Sequence, residues 1–150
     1  MKQTLNYVTY QTFPASTANS LQSISNIKYF IKKGINVCLY FPLREKTSSD
    51  DLKVLQEYYS FTESLQIKGI NHYLPHGRIQ IFKKTMFHIS HFLWSRRTIS
   101  KYFKKNNEEI FFTRSDWIAF FAARKKYKVI FECHQESRIR NFVIKKIGDY

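Results

Sequence analysis

A chain of 150 residues with only two cysteines, Cys38 and Cys133, needs neither a disulfide framework nor a structural metal, because a domain of this length buries enough surface for a core of its own. The wide spacing of the thiols fits a reduced, cytoplasmic chain. The 25 Lys and Arg against 11 Asp and Glu give a formal charge of +14, which leaves anionic membranes and nucleic acid open as partners, although the abundance of Lys, Ile, Asn, Phe and Tyr also fits AT-rich codon usage.

Met1 to Val8 carries no long apolar run, so a signal peptide is not expected. No segment reaches the roughly 20 apolar residues that span a bilayer. Leu5–Tyr10 alternates as a short strand and runs into the loop Gln11-Thr12-Phe13-Pro14. Ser16 or Thr17 can cap a helix with apolar positions at Leu21, Ile24, Ile27 and Ile31, closed by Lys32-Lys33-Gly34. Val37–Phe41 reads as a buried strand stopped by Pro42.

Ser48 or Ser49, followed by Asp50-Asp51, starts a second helix through Leu52, Leu55, Tyr58 and Tyr59. Leu65–Leu74 holds a third strand whose limits Gly69 blurs. Arg78 to Lys105 is the longest helical stretch, kinked or split near Ser95, with an apolar stripe at Ile79, Phe82, Met86, Ile89 and Leu93. Its polar side is strongly basic. Glu109–Thr113 is a fourth strand, Asp116–Lys126 a fourth helix, Lys128–Glu132 a fifth strand, and an amphipathic helix ends near Ile147.

Alternating strands and helices of this kind predict one Rossmann-like α/β domain over residues 1–150. Its core is a doubly wound, five-stranded parallel sheet in the order 3-2-1-4-5 with helices on both faces. Ligands of such sheets sit beyond the carboxyl ends of the strands, at the switch point. Gln11–Thr17, Thr113–Trp117 and Glu132–Glu136 are the segments that meet there.

The first strand-to-helix loop lacks the glycines of a dinucleotide fingerprint, and there is no Walker A sequence, so the usual NAD, FAD and ATP motifs are absent. Hydroxyls and backbone N–H groups from Ser16 to Ser20 suit either ordinary helix capping or a phosphate or sugar oxygen. His88 and His91 have a spacing that can ligate zinc, but no carboxylate or cysteine lies near them in sequence, and no metal site is assigned.

Phe13-Pro14, Ser16 to Asn19, Thr113-Arg114 and Ile130-Phe131-Glu132-Cys133-His134 follow one another in an order that resembles the N-terminal domain of family 4 glycosyltransferases. The resemblance runs from about residue 5 to residue 147, and no single motif in it is specific. It implies the acceptor-side half of a GT-B enzyme that moves a sugar from a nucleotide-sugar donor to a glycan or lipid-linked acceptor with retention, without a metal or other cofactor in this half. Phe13, Pro14, Ser16, Thr17, Arg114 and His134 would line the acceptor cleft, and Glu132 would orient the loop behind them. No catalytic residue is assigned to this half.

Such enzymes are usually more than twice as long, and their C-terminal donor domain, with its pair of glutamates, is missing here, so the chain by itself is expected to be inactive. A peripheral position on the inner face of the membrane would use Lys83, Lys84, Arg96 and Arg97. The alternative is a noncatalytic basic module that binds RNA or an anionic surface. No RNA-recognition signature is recognisable, which disfavours nucleic acid.

Overall fold

The computed structural model describes residues 4–72, 83–103, 110–133 and 138–148, and of residues 83 and 84 the backbone alone. Ten elements alternate along the chain: β1 (Thr4–Val8), α1 (Ala18–Lys32), β2 (Asn36–Leu43), α2 (Leu52–Tyr59), β3 (Gln66–Asn71), α3 (Lys83–Lys101), β4 (Ile110–Thr113), α4 (Asp116–Arg124), β5 (Lys128–Phe131) and α5 (Arg138–Ile147). The five strands form one sheet in the order β3-β2-β1-β4-β5, and every pairing is parallel. The Rossmann-like architecture expected from the sequence is the one observed.

Strand alternation divides the core into two layers. Tyr7, Leu39, Phe41 and Phe112 face α1 and α2, with Ile24, Ile27 and Leu55 above them. Val8 and Phe111 face the other way, toward Trp94, Ile99, Ile118 and Phe121 of α3 and α4. Adjacent residues such as Phe111 and Phe112 thus serve opposite layers, which is why the central strands read as continuous apolar runs.

Thr17 caps α1, its Oγ1 accepting from the Ser20 N–H at 3.2 Å. The helix ends in a Schellman motif: Ile35 N–H donates to Phe30 O at 3.0 Å, and Gly34 N–H to Ile31 O at 2.8 Å, with Gly34 at φ 78°. The end of α4 repeats this pattern without a glycine. Tyr127 N–H donates to Ala122 O, Lys126 N–H donates to Ala123 O, and Lys126 sits at φ 61°.

Three sequence expectations need correction. β2 does not stop at Pro42 but continues to Leu43. Tyr40 O accepts from Thr9 N–H, so Pro42, two residues on, also turns its backbone toward β1. The β1–β2 ladder has ended there at Val8 and Tyr40, and the missing N–H costs no bond. The cap of α2 is Asp51, whose carboxylate accepts from Lys53 N–H at 2.9 Å, while Ser49 N–H donates to Phe13 O and ties this loop to the first one.

α3 is the third correction. It is one continuous helix through Ser95, and Ile89 and Leu93 are 47% and 40% exposed. The buried side carries His91, Trp94, Ser95, Thr98 and Ile99. The larger rings and aliphatics at Trp94, Ile99 and Phe103 bury more area than Ile89 and Leu93 would, and they set the rotation of the helix. Ile79 and Phe82 of the expected stripe lie outside the described residues. Among the described residues, no helix is long and apolar enough to cross a membrane.

Candidate functional site

The carboxyl ends of β1, β4 and β5 open onto a cleft of about 260 Å³, at the switch point where such sheets hold ligands. Thr9, Tyr10 and Gln11 enter it from the end of β1, and Asn19 and Ser23 from the first turns of α1. Arg114 and Ser115 cross it between β4 and α4, Asp116 and Trp117 enter it from the first turn of α4, Glu132 and Arg140 close one side, and Phe87, His88 and His91 of α3 form another wall.

Two arginine–carboxylate pairs frame the cleft. Arg114 Nε lies 3.5 Å from Glu132 Oε2, and Asn26 Nδ2 donates to the same oxygen at 3.1 Å. Arg140 Nε donates to Asp116 Oδ1 at 2.7 Å. Burial by itself would lower the Arg140 pKa, but the hydrogen bond and charge of Asp116 outweigh it and raise it. Glu132 is thus the partner of Arg114, while Asp116 belongs to Arg140. Below them the Tyr7 hydroxyl is fully buried, and burial raises its pKa against the opposing effects of Ser23 and Arg114.

A second group centres on Tyr10. Its hydroxyl lies 2.8 Å from His72 Nε2 and 2.9 Å from Ser90 Oγ, which is itself 3.0 Å from His72 Nε2. Arg44 lies over the ring, 4.9 Å from its centroid, and His91 stacks on it at 4.3 Å. Arg44 Nη1 also donates to Tyr10 O at 3.4 Å, and Tyr10 N–H donates to Ser115 Oγ at 3.3 Å. Burial raises the Tyr10 pKa and drives that of His91 down to about 3, with the His88 and Arg44 charges acting in the same direction. His91 is therefore neutral at physiological pH. Ser90 is 2% exposed, and its hydroxyl is engaged by Tyr10 and His72.

Several buried polar atoms beside the cleft lack hydrogen-bond partners among the described residues: Arg114 Nε and Nη1, Trp117 Nε1 and His91 Nε2. The 3.5 Å approach of Arg114 to Glu132 is an ion pair without hydrogen-bond alignment, so the two observations on this residue agree. Native interiors leave few such groups unpaired. Guanidinium and indole donors beside carboxylate acceptors and the Trp117 and Phe87 rings suit a polyol. Each hydroxyl both donates and accepts, and a sugar ring has an apolar face.

Of the residues expected at the site, Arg114 and Glu132 meet in the cleft. Phe13 does not line it: its ring is fully buried against Phe41 and Tyr59. Thr17 is occupied as the α1 cap, Ser16 is exposed, and Pro14 is half-buried in the loop, joined to Phe13 by a cis peptide bond. His134 lies outside the described residues. Arg96 and Arg97 are exposed on α3, and the side chains of Lys83 and Lys84 are not described.

Tyr10, Arg44, Ser90, His91 and Arg140 are not among the residues the sequence singles out for this site, whereas Asp116 falls in the Thr113–Trp117 segment expected there. The only sequence signal is position: Tyr10 ends the first strand, and Asp116 opens the helix after the fourth. His88 is exposed and His91 buried. Among the described residues, no group of three or more His, Cys, Asp or Glu side chains is placed to hold a metal ion. No protein-family model matches the chain, and a search of curated proteins finds no match to it.

Proposed function

We propose that the chain is the acceptor-side half of a glycosyltransferase and that the switch-point cleft holds a hydroxyl-rich acceptor, a glycan or a lipid-linked sugar. The observation that carries this reading is Arg114, whose buried Nε and Nη1 have no hydrogen-bond partner among the described residues and lie beside the Glu132 carboxylate. A sugar hydroxyl placed there donates to the carboxylate and accepts from the guanidinium. The order of Phe13-Pro14, Thr113-Arg114 and Glu132-Cys133-His134 supports the same reading from the sequence.

In this reading the sugar comes from a nucleotide-sugar donor held by a donor domain that is not among these 150 residues. Transfer needs both domains closed around the substrates. Calorimetry with UDP- and GDP-sugars is the test. The chain by itself gives no saturable heat with them, whereas tight binding would place the donor site here and reject the assignment.

A second reading has a specific observation behind it. Ile89 and Leu93 stand exposed on α3 with Arg96 and Arg97 a turn further along. An apolar pair next to cations suits the surface of an anionic bilayer, and peripheral attachment is compatible with a lipid-linked acceptor.

A further inference from the structure

Parallel sheets are normally covered by helices on both faces, because each crossover lays a helix over one of them. In this chain α5 does not cross to the α1 side after β5. It returns onto α4, with Phe142 6.3 Å from Phe120 and Arg140 bonded to Asp116 at 2.7 Å. Beyond Phe112, the α1-side face of β5 is left without a helix above it among the described elements.

The register identifies the side chains on that face. Phe112 packs under Phe30 of α1, ring centroids 5.2 Å apart, and pairs with Ile130, while Ile110 pairs with Lys128. Ile130 and Lys128 therefore point to the α1 side. Ile130 is 50% exposed and Lys128 is exposed, whereas Val129, directed to the opposite layer, is half-buried. An apolar groove of about 390 Å³ lies there, formed by Leu5, Phe30, Ile35, Ile110, Phe112 and Ile130, with no charged residue among the described residues of its lining.

We propose that this groove docks an amphipathic helix of a partner protein, apolar on one side and acidic on its flanks. The apolar floor beside α1 calls for the element that covers parallel sheets elsewhere, a helix laid along the strands. Lys128 opens β5 opposite Ile110 of the groove, and Lys33 precedes Gly34 of its lining with Nζ over the Tyr29 ring at 5.6 Å; neither is ion-paired among the described residues. With a chain charge of +14, acidic flanks are attracted and basic ones repelled. A second copy is a poor occupant for the same reason: its α5, RIRNFVIKKI, which exposes Phe142 and Ile144, is itself basic.

The test titrates the full chain into a fluorescent synthetic helix with leucines on one face and glutamates on both flanks, read by anisotropy. Saturable binding is expected, weakened about tenfold or more by Ile130→Asp, which puts a charge in the apolar floor. The same peptide with lysine flanks does not bind. Ile130 is half-exposed, so Ile130→Asp leaves the fold intact, and Ile35→Asp at the other end of the groove gives an independent check. Absence of binding, or binding unchanged in both variants, overturns the proposal. A concentration-dependent dimer abolished by Ile130→Asp overturns it too, because a second copy would then cover the groove.

Discussion

Tyr10 and His91 lie face to face, with ring centroids 4.3 Å apart and planes inclined by 14°. Burial holds the His91 imidazole neutral down to about pH 3, against an ordinary value of 6.5. Between those values the unfolded chain takes up a proton that the folded chain refuses. The unfolded state therefore binds more protons, and stability falls as pH falls, by about 1.4 kcal/mol per unit from this group. Denaturant unfolding of the wild type and of His91→Phe, which keeps a ring on Tyr10, reads this directly. The stability difference between the two should shift by about 2 kcal/mol from pH 7 to pH 5, in favour of the variant at the lower pH. Parallel curves would show that His91 protonates freely in the folded state.

Gly69 in β3 has no room for a side chain. A Cβ there would stand 2.7 Å from Leu43 Cγ and Cδ2 and 2.9 Å from Asp50 Cβ, and the Gly69 N–H donates to Asp50 Oδ2 at 3.2 Å. Gly69→Ala should cost about 1–3 kcal/mol through overpacking, measured by urea unfolding. A neutral outcome would mean that Leu43 and Asp50 can move aside together.

Ser60 and Lys126 hold the left-handed conformation at the ends of α2 and α4, at φ 50° and 61°, without the freedom that Gly34 has at the end of α1. Ser60→Gly and Lys126→Gly should each stabilise the chain by about 1 kcal/mol. Thermal melts of the two variants and their combination check this, with additive rises in Tm expected because the positions belong to different helices.

The sheet order was legible in the sequence because each buried strand is an apolar run and each helix carries a cap or a cationic last turn. Thr17 and Gly34 are such local signals, readable from a few neighbouring residues, whereas four candidates in a row from Ser48 to Asp51 leave the cap of α2 to the packing of the loop. The orientation of α3 was not legible: Ile89 and Leu93 form as good a helical stripe as Trp94 and Thr98, and only packing against Ile118 and Phe121 chooses between them. The site divided in the same way. Arg114 and Glu132 stand at strand ends, a position that by itself brings them to the switch-point cleft. Arg44 and His91 reach Tyr10 from β2's end and from α3, a meeting that depends on tertiary distances no local pattern encodes. Phe13 stands at a strand-end loop too, but an aromatic ring there finds more apolar area in the core than in a polar cleft.

The exposed face of α3 gives a surface prediction. If Ile89 and Leu93 enter the headgroup layer with Arg96 and Arg97 on the lipid phosphates, binding to anionic vesicles exceeds binding to neutral ones and weakens with salt. Arg96→Gln with Arg97→Gln should reduce it, at about 1 kcal/mol per cation. Equal binding to both vesicle types, or stronger binding to RNA at physiological salt, would reject the membrane role.

The acceptor assignment is tested most directly by two side-chain N–H signals, the Trp117 indole and the Arg114 Nε–H, both beside the cleft and both without an acceptor among the described residues. In an NMR titration with a panel of glycans, at least one glycan should shift both signals saturably. Arg114→Gln should abolish the Trp117 shift for that glycan while the rest of the spectrum keeps the pattern of the folded chain. If no glycan moves either signal, or a nucleotide sugar alone moves them, the cleft is not an acceptor site and the glycosyltransferase reading fails.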